Sequence, residues 1–185
     1  AQMESWQGRR ATVETEAYLL KATGYIQSPI LKTNLAVYYS NVQQFEKAAS
    51  YLASIPPEEQ TFSNYYNVKG LLAVHDKQIK EANGYFLKAI ELDESFWEAQ
   101  GNLGRLFIDL GEMEEARKVF DRLHTQNPKH LSPYIGLGNI YFDLANRSIP
   151  GSTEDQHNLE RAREWYTDGI KTLQVLGACP TLSDL

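Results

Sequence analysis

The sequence predicts an all-α fold in which antiparallel helix pairs recur every 34 residues and stack into a single domain. Three observations carry this. Small and large apolar residues repeat at an offset of 34 without a slip: Ala48, Ala82 and Ala116; Leu52, Phe86 and Phe120; Ala36, Gly70, Gly104 and Gly138. Within a unit, apolar residues recur at three and four, the spacing of one helix face. No stretch alternates with period two, so no strand is predicted. A fixed period of this length marks a repeat architecture, because one helix pair cannot bury its apolar face alone.

Residues 1–28 form an N-terminal segment. Within it, 10–23 reads as a capping half-repeat helix with Val13, Ala17 and Leu20 on one face and Gly24 as its stop. Unit one, 29–62, opens with Ser28 as N-cap before Pro29 at the first helical position. Unit two spans 63–96. In unit three, 97–130, Leu103, Leu106, Phe107 and Leu110 make one stripe. Gly111 stops that helix, and Met113, Ala116, Phe120 and Leu123 make the second. Unit four, 131–176, opens at Ser132-Pro133, again read as cap and proline, with Leu137, Gly138 and Tyr141 in phase. Its second helix resumes at Leu159, Ala162 and Tyr166. Leu110 to Met113 is 3 residues whereas Leu144 to Leu159 is 15, so 12 are inserted. This polar insertion, near 146–158, holds the turn signal Pro150-Gly151 and reads as a surface loop. The tail 177–185 is broken by Pro180.

Unit three reads Leu103-Gly104-x-x-Phe107, Ala116-x-x-x-Phe120, Pro128; unit four reads Tyr134-x-x-Leu137-Gly138-x-x-Tyr141. Over about residues 29–174 the chain resembles the tetratricopeptide-repeat family, whose signature has this period and chemistry. The resemblance implies a right-handed superhelical solenoid, 29–176 as one domain, with the first helices of successive units lining a concave groove. Three positions depart from the pattern. Lys32 stands where an aromatic is usual, Ala36 where glycine is usual, and Lys69 in the leucine column.

Composition narrows the function classes. Eighteen Lys and Arg against 24 Asp and Glu leave a formal charge of −6. That balance argues against nucleic acid as a partner, which needs clustered positive charge. No stretch reaches the ~20 apolar residues of a transmembrane helix. The single cysteine, Cys179, excludes an internal disulfide and a multi-cysteine metal site. His75, His124, His130 and His157 match no metal spacing, and His124 and His130 read as solvated. Gly136-x-Gly138 lies inside a helical pattern and reads as packing, not as a phosphate loop. Asn146-Arg147-Ser148 is a glycosylation sequon read as unused. No nucleophile, base and orienting group assemble. The expectation is no enzyme, no metal and no cofactor. The Ala1-Gln2 start fits a processed chain, and a cytoplasmic location is expected, with a periplasmic or secreted one as the alternative.

Binding remains. Mapped by resemblance, the groove positions most suited to a partner are Asn34, Asn67, Leu71, Asn102, Arg105, Asp109, Asn139 and Phe142. An amide donates and accepts together, so it can pair with a peptide backbone whatever its sequence. Leu71 and Phe142 offer apolar anchors. Arg105 is the only cation among the groove positions, with Asp109 one turn on as its surface partner. The expected role is a protein- or peptide-binding scaffold. A docking segment of a larger enzyme or assembly and a self-associating scaffold are the alternatives. Lastly, Trp165, Tyr166, Ile170, Leu173, Val175 and Leu176 make the final helix more apolar than one neighbour requires. Its exposed face is expected to continue into further helices of a longer chain, or else to dock on a partner or a second copy.

Overall fold

A computed structural model describes residues 18–21, 24 and 28–175. Val13, Ala17, Leu176, Cys179 and the tail 177–185 lie outside the described residues. The chain divides into two compact units, Ala1–Glu94 and Ser95–Leu185. The division falls two residues before the expected boundary between units two and three, 96/97. The first unit contains α1 (Pro29–Asn41), α2 (Phe45–Ala53), a 3-10 turn (Pro57–Glu59), α3 (Ser63–His75) and α4 (Ile79–Leu92). The second contains α5 (Trp97–Asp109), α6 (Met113–Gln126), α7 (Ser132–Arg147) and α8 (Thr153–Val175). No strand occurs among the described residues. Helices pack in pairs, α1 on α2, α3 on α4, α5 on α6 and α7 on α8. In the first unit α3 also packs on α1 and α2, and in the second α7 packs on α5 and α6. No described helix is long and apolar enough to cross a membrane.

The first helices of units one to three begin at Pro29, Ser63 and Trp97, a spacing of 34 residues. Its cause is a size match between helices. A Cβ placed on Gly70 would fall on the Phe86 ring, one on Gly104 or Gly136 on Phe120, and one on Gly138 on Tyr166. Hydrogen at those positions lets each aromatic ring lie against a neighbouring backbone. In unit one the same columns hold a larger small residue and a smaller large one, fully buried Ala36 and buried Leu52, in one core with Tyr39, Ile55, Tyr65 and Val68. The second unit has its own core of Ala116, Phe120, Leu137 and Ile140, flanked by Phe107, Met113 and Trp165. Each large buried side chain contributes about 1.5–3 kcal/mol by leaving water.

The turn inside each of units one to three is one motif used three times. Gln43, Lys77 and Gly111 all have positive φ, 60°, 60° and 76°. The next residue's N–H reaches back five positions, Gln44 to Tyr39 O, Gln78 to Ala73 O and Glu112 to Phe107 O, at 2.8–2.9 Å. These are Schellman closures, which satisfy the last carbonyls of the helix. Only Gly111 announced itself in the sequence.

Both lysines that break the family pattern find partners. Lys32 Nζ donates to Ser54 O at 3.1 Å, meeting the carbonyl end of α2. Lys69 Nζ stands over the Tyr85 and Tyr65 rings, 4.6 and 5.7 Å from their centroids, so its stem replaces leucine and its charge meets π faces.

Several expectations are corrected. Ser28 holds the cap position of α1 without a side-chain cap bond, and Ser132 is the first residue of α7, with Leu131 as its cap. Gly24 is itself helical. Leu19, not Leu20, packs on the first core. Leu110 caps α5 and is exposed. The 12-residue insertion is mostly helix. α7 runs to Arg147, past Asp143, which matches the end of α5, and α8 starts at Thr153, ahead of Leu159. The link 148–152 turns at Gly151 (φ 79°), and Ser152 Oγ accepts the Asp155 N–H at 3.1 Å, capping α8. The spacing Ser152-x-x-Asp155 is the sequence signal for that start.

Candidate functional site

The first helices carry all eight positions mapped to the groove, and each unit holds its own share. In the first unit α1 presents Asn34 to solvent, while Leu71 on α3 is half-buried. Asn67 is only 6% exposed, because α3 lies along α1 and covers that face. Thr33 and Ser40 of α1 are buried as well. Asn67 therefore stands in the wall between the two helices. Its amide spacing gave no sign of this, since packing of one first helix on the next decides it.

In the second unit α5 holds Asn102, Arg105 and Asp109, and α7 holds Asn139 and Phe142. Arg105 is exposed, and its guanidinium donates to Asn102 Oδ1 at 2.9 Å. No ion pair joins Arg105 to Asp109, the partner the sequence suggested; the amide one turn back takes that place. Asn139 is exposed, and its Oδ1 accepts the Tyr166 hydroxyl at 2.7 Å. Burial raises the Tyr166 pKa, which keeps that phenol protonated and a donor. Asn139 thus offers its NH2 group to a partner while its oxygen is engaged. Phe142 is 49% exposed. Gly136, also a groove position by register, is covered by the Phe120 ring.

The aromatic and histidine chemistry lies behind this face. His124 packs edge-on against Tyr134 and Trp165, with centroids at 5.0 and 5.2 Å, so it is a packing residue rather than a solvated one. Tyr134 Oη donates to Pro128 O at 2.7 Å, pinning the loop between repeats. His130 Nδ1 accepts the Ser132 N–H at 3.3 Å at the start of α7. Burial holds its pKa below the usual histidine range, against a smaller opposing pull from Glu98. Among the described residues no group of three or more His, Cys, Asp or Glu could hold a metal ion. Asn146 of the sequon is exposed in the last turn of α7.

Residues 73–137 match the tetratricopeptide-repeat model. Protein O-mannosyl-transferase Tmtc3 of Drosophila melanogaster is 30% identical over 115 residues, 55% of this chain. The chain spans 12% of that relative's length. Among solved structures, MamA superposes with a TM-score of 0.60 at 14% identity, covering 94% of this chain and 95% of MamA. YrrB, described as a TPR protein with an unusual peptide-binding site, superposes with a TM-score of 0.54 at 19% identity, covering 94% and 88%. At these identities the likeness is one of fold.

Proposed function

We propose that this tetratricopeptide-repeat protein is a non-catalytic scaffold that holds a peptide or partner protein along the first helices of its repeats. The observation that carries the reading is Arg105. It is an exposed cation on a first helix, oriented by Asn102 and paired with no carboxylate among the described residues. An arginine held in this way is ready for a carboxylate or a backbone carbonyl of a partner. Exposed Asn139 and Phe142 of α7, in the same unit, add amide and apolar contacts. The peptide site named for YrrB supports the reading for a fold of this kind. Peptides selected against the wild type from a display library supply the test. Arg105→Ala with Asn102→Ala should weaken them by roughly tenfold, about 1.4 kcal/mol, with the melting temperature nearly unchanged. Equal affinity in the variant, with helicity intact, would sink the proposal.

A second reading has its own support. Tmtc3 is named as a transferase and is far longer than the matching segment, so these repeats would serve as the docking part of a larger enzyme. An antibody against this segment decides it. A band far above 21.1 kDa in the source cell supports the docking segment, and a band at 21.1 kDa excludes it.

A further inference from the structure

Four differences between corresponding repeats meet at one place on the first unit. Lys69 stands in the leucine column, where the second unit has Leu137. Ala49, Ala53 and Ala73 stand where the second unit has Arg117, Asp121 and Tyr141, two periods along. There Arg117 Nη1 lies 3.9 Å from Asp121 Oδ2, and the Arg161 guanidinium lies over the Tyr141 ring, 5.3 Å from its centroid. In the first unit the three alanines, with Leu52, Leu72 and Lys69, line a cavity of about 280 Å³ among α2, α3 and α4. Two donors in its wall lack an acceptor. Lys69 Nζ stands over the Tyr65 and Tyr85 rings and joins no ion pair or hydrogen bond among the described residues. The Tyr65 hydroxyl makes no hydrogen bond among them either, although Tyr65 is only 3% exposed. Burial raises the Tyr65 pKa, against a smaller lowering pull from Lys69, so this phenol stays protonated and a donor. Asp76 also lines the cavity, two turns and about 10 Å from Lys69 along α3. Its carboxylate is engaged by His75 Nδ1 at 2.9 Å.

We propose that this cavity is a second partner site, which takes from a partner protein's peptide segment an aromatic side chain with a carboxylate beside it. The carboxylate accepts from Lys69 Nζ and the Tyr65 hydroxyl, and the ring lies against Leu52, Leu72 and the alanines. The second unit supplies the same two groups, Tyr141 and Asp121, from its own chain, in columns that are alanine here. Size selects the occupant. The volume falls just under the ~300–1,000 Å³ of small-molecule sites, so it holds one side chain, and exposed Ala49 and Ala53 leave the rim open to the rest of a peptide. Charge selects the sign, since the unpaired group inside is a cation. An acidic segment without a ring leaves the apolar wall in water and gains the polar contacts alone. The site belongs to the first unit, whereas Arg105 belongs to the second.

Nuclear magnetic resonance titration of the whole chain with the peptide acetyl-Gly-Tyr-Asp-Gly-amide tests it. The backbone amides of Ala53, Lys69 and Leu72 should shift saturably, with a sub-millimolar dissociation constant. Replacing the peptide's tyrosine by alanine, or its aspartate by asparagine, should weaken it by roughly tenfold. Lys69→Gln should weaken it by a similar factor and erase the preference for aspartate over asparagine. Ala49→Arg with Ala53→Asp copies the second unit's pair at two exposed positions, and should abolish binding with Tm unchanged. Arg105→Ala should bind this peptide as the wild type does, and Lys69→Gln should keep the display-selected groove peptides, so failure here leaves the groove reading standing. The proposal is overturned if those amides do not shift, if the alanine peptide binds equally, or if binding survives both Lys69→Gln and the double variant.

Discussion

Gln43 and Lys77 hold a left-handed backbone that Gly111 holds in the next repeat. For a residue with a Cβ that geometry costs roughly 1–2 kcal/mol, and glycine avoids it while losing some chain entropy on folding. Gln43→Gly and Lys77→Gly should each stabilise the chain by about 0.5–1 kcal/mol, read as a rise of roughly 1–4 °C in Tm. A fall in Tm would show that the side chains earn their place through contacts. His130 makes a second residue-scale prediction. Its folded pKa lies below the unfolded value of 6.5, so the unfolded chain binds more protons as pH falls. The contribution is complete above about pH 6.5 and is lost as pH drops through the lower folded value. Protonation would also remove the Nδ1 acceptor from the Ser132 N–H at the start of α7, where positive charge is disfavoured. Between pH 7.5 and 5.5, roughly a unit either side of the free value, the wild type should lose more Tm than His130→Asn. Parallel losses would assign the slope to other groups.

At the scale of the helix, the repeat depends on pairing a small residue with a large one. Gly70 with Phe86 and Ala36 with Leu52 are two solutions to one spacing. Gly70→Ala alone drives a methyl into the Phe86 ring and should cost about 1–3 kcal/mol. Phe86→Leu alone leaves a void. The double variant copies unit one and should recover at least about 0.5 kcal/mol relative to the sum of the singles, the coupling expected for residues in contact. Denaturant midpoints measure it, and strict additivity would mean that the two positions do not share one space. Columns of this kind are why the helix starts were readable from sequence: packing imposes a single period on three units. The insertion was read as loop because Pro150-Gly151 and its polarity are loop signals, yet both helices extend into it. The α7 extension ends in the Asp143–Arg147 pair and the α8 extension begins at the Ser152 cap, local devices that need no buried stripe. Gln43 and Lys77 were unreadable for the opposite reason: helix closure there overrides residue preference.

For the whole molecule, the cores were legible and the surface only in part. Each unit buries its own cluster; periodicity named Ala36, Ala48, Leu52, Ala116, Phe120 and Leu137 in them but not Leu35, Ile55, Tyr65 or Ile140. Which groove side chains stay free depends on contacts between helices, so the buried Asn67 and the Tyr166-bound Asn139 could not be told from exposed Asn34 by spacing alone. The distribution of charge carries one prediction about partner chemistry. Tetratricopeptide-repeat proteins that hold acidic C-terminal tails of chaperones use lysine, asparagine and arginine at set groove positions. Here those positions hold Thr33, Val37, Val68, Glu98 and Asn102, and starting the comparison one unit later brings Leu71, Ser132 and Gly136. Five further cations of the second unit are engaged in local ion pairs. Arg117 pairs with Glu114, Lys118 with Glu115, Arg161 with Glu164, Arg163 with Glu160 and Lys171 with Asp168. All five lie on second helices at the exposed surface, where solvent screens them, so they neutralise the surface more than they stabilise it. An acidic tail would meet Arg105 alone among groove cations, on a chain of net charge −6. One charge-assisted contact of about 1.5–3 kcal/mol falls far below the ~8 kcal/mol of micromolar binding. Titration calorimetry with an acidic C-terminal pentapeptide should give no measurable heat of binding at physiological salt. A micromolar dissociation constant would mean that cations outside the first helices reach the groove, and the assignment of Arg105 as its one charged anchor would fail.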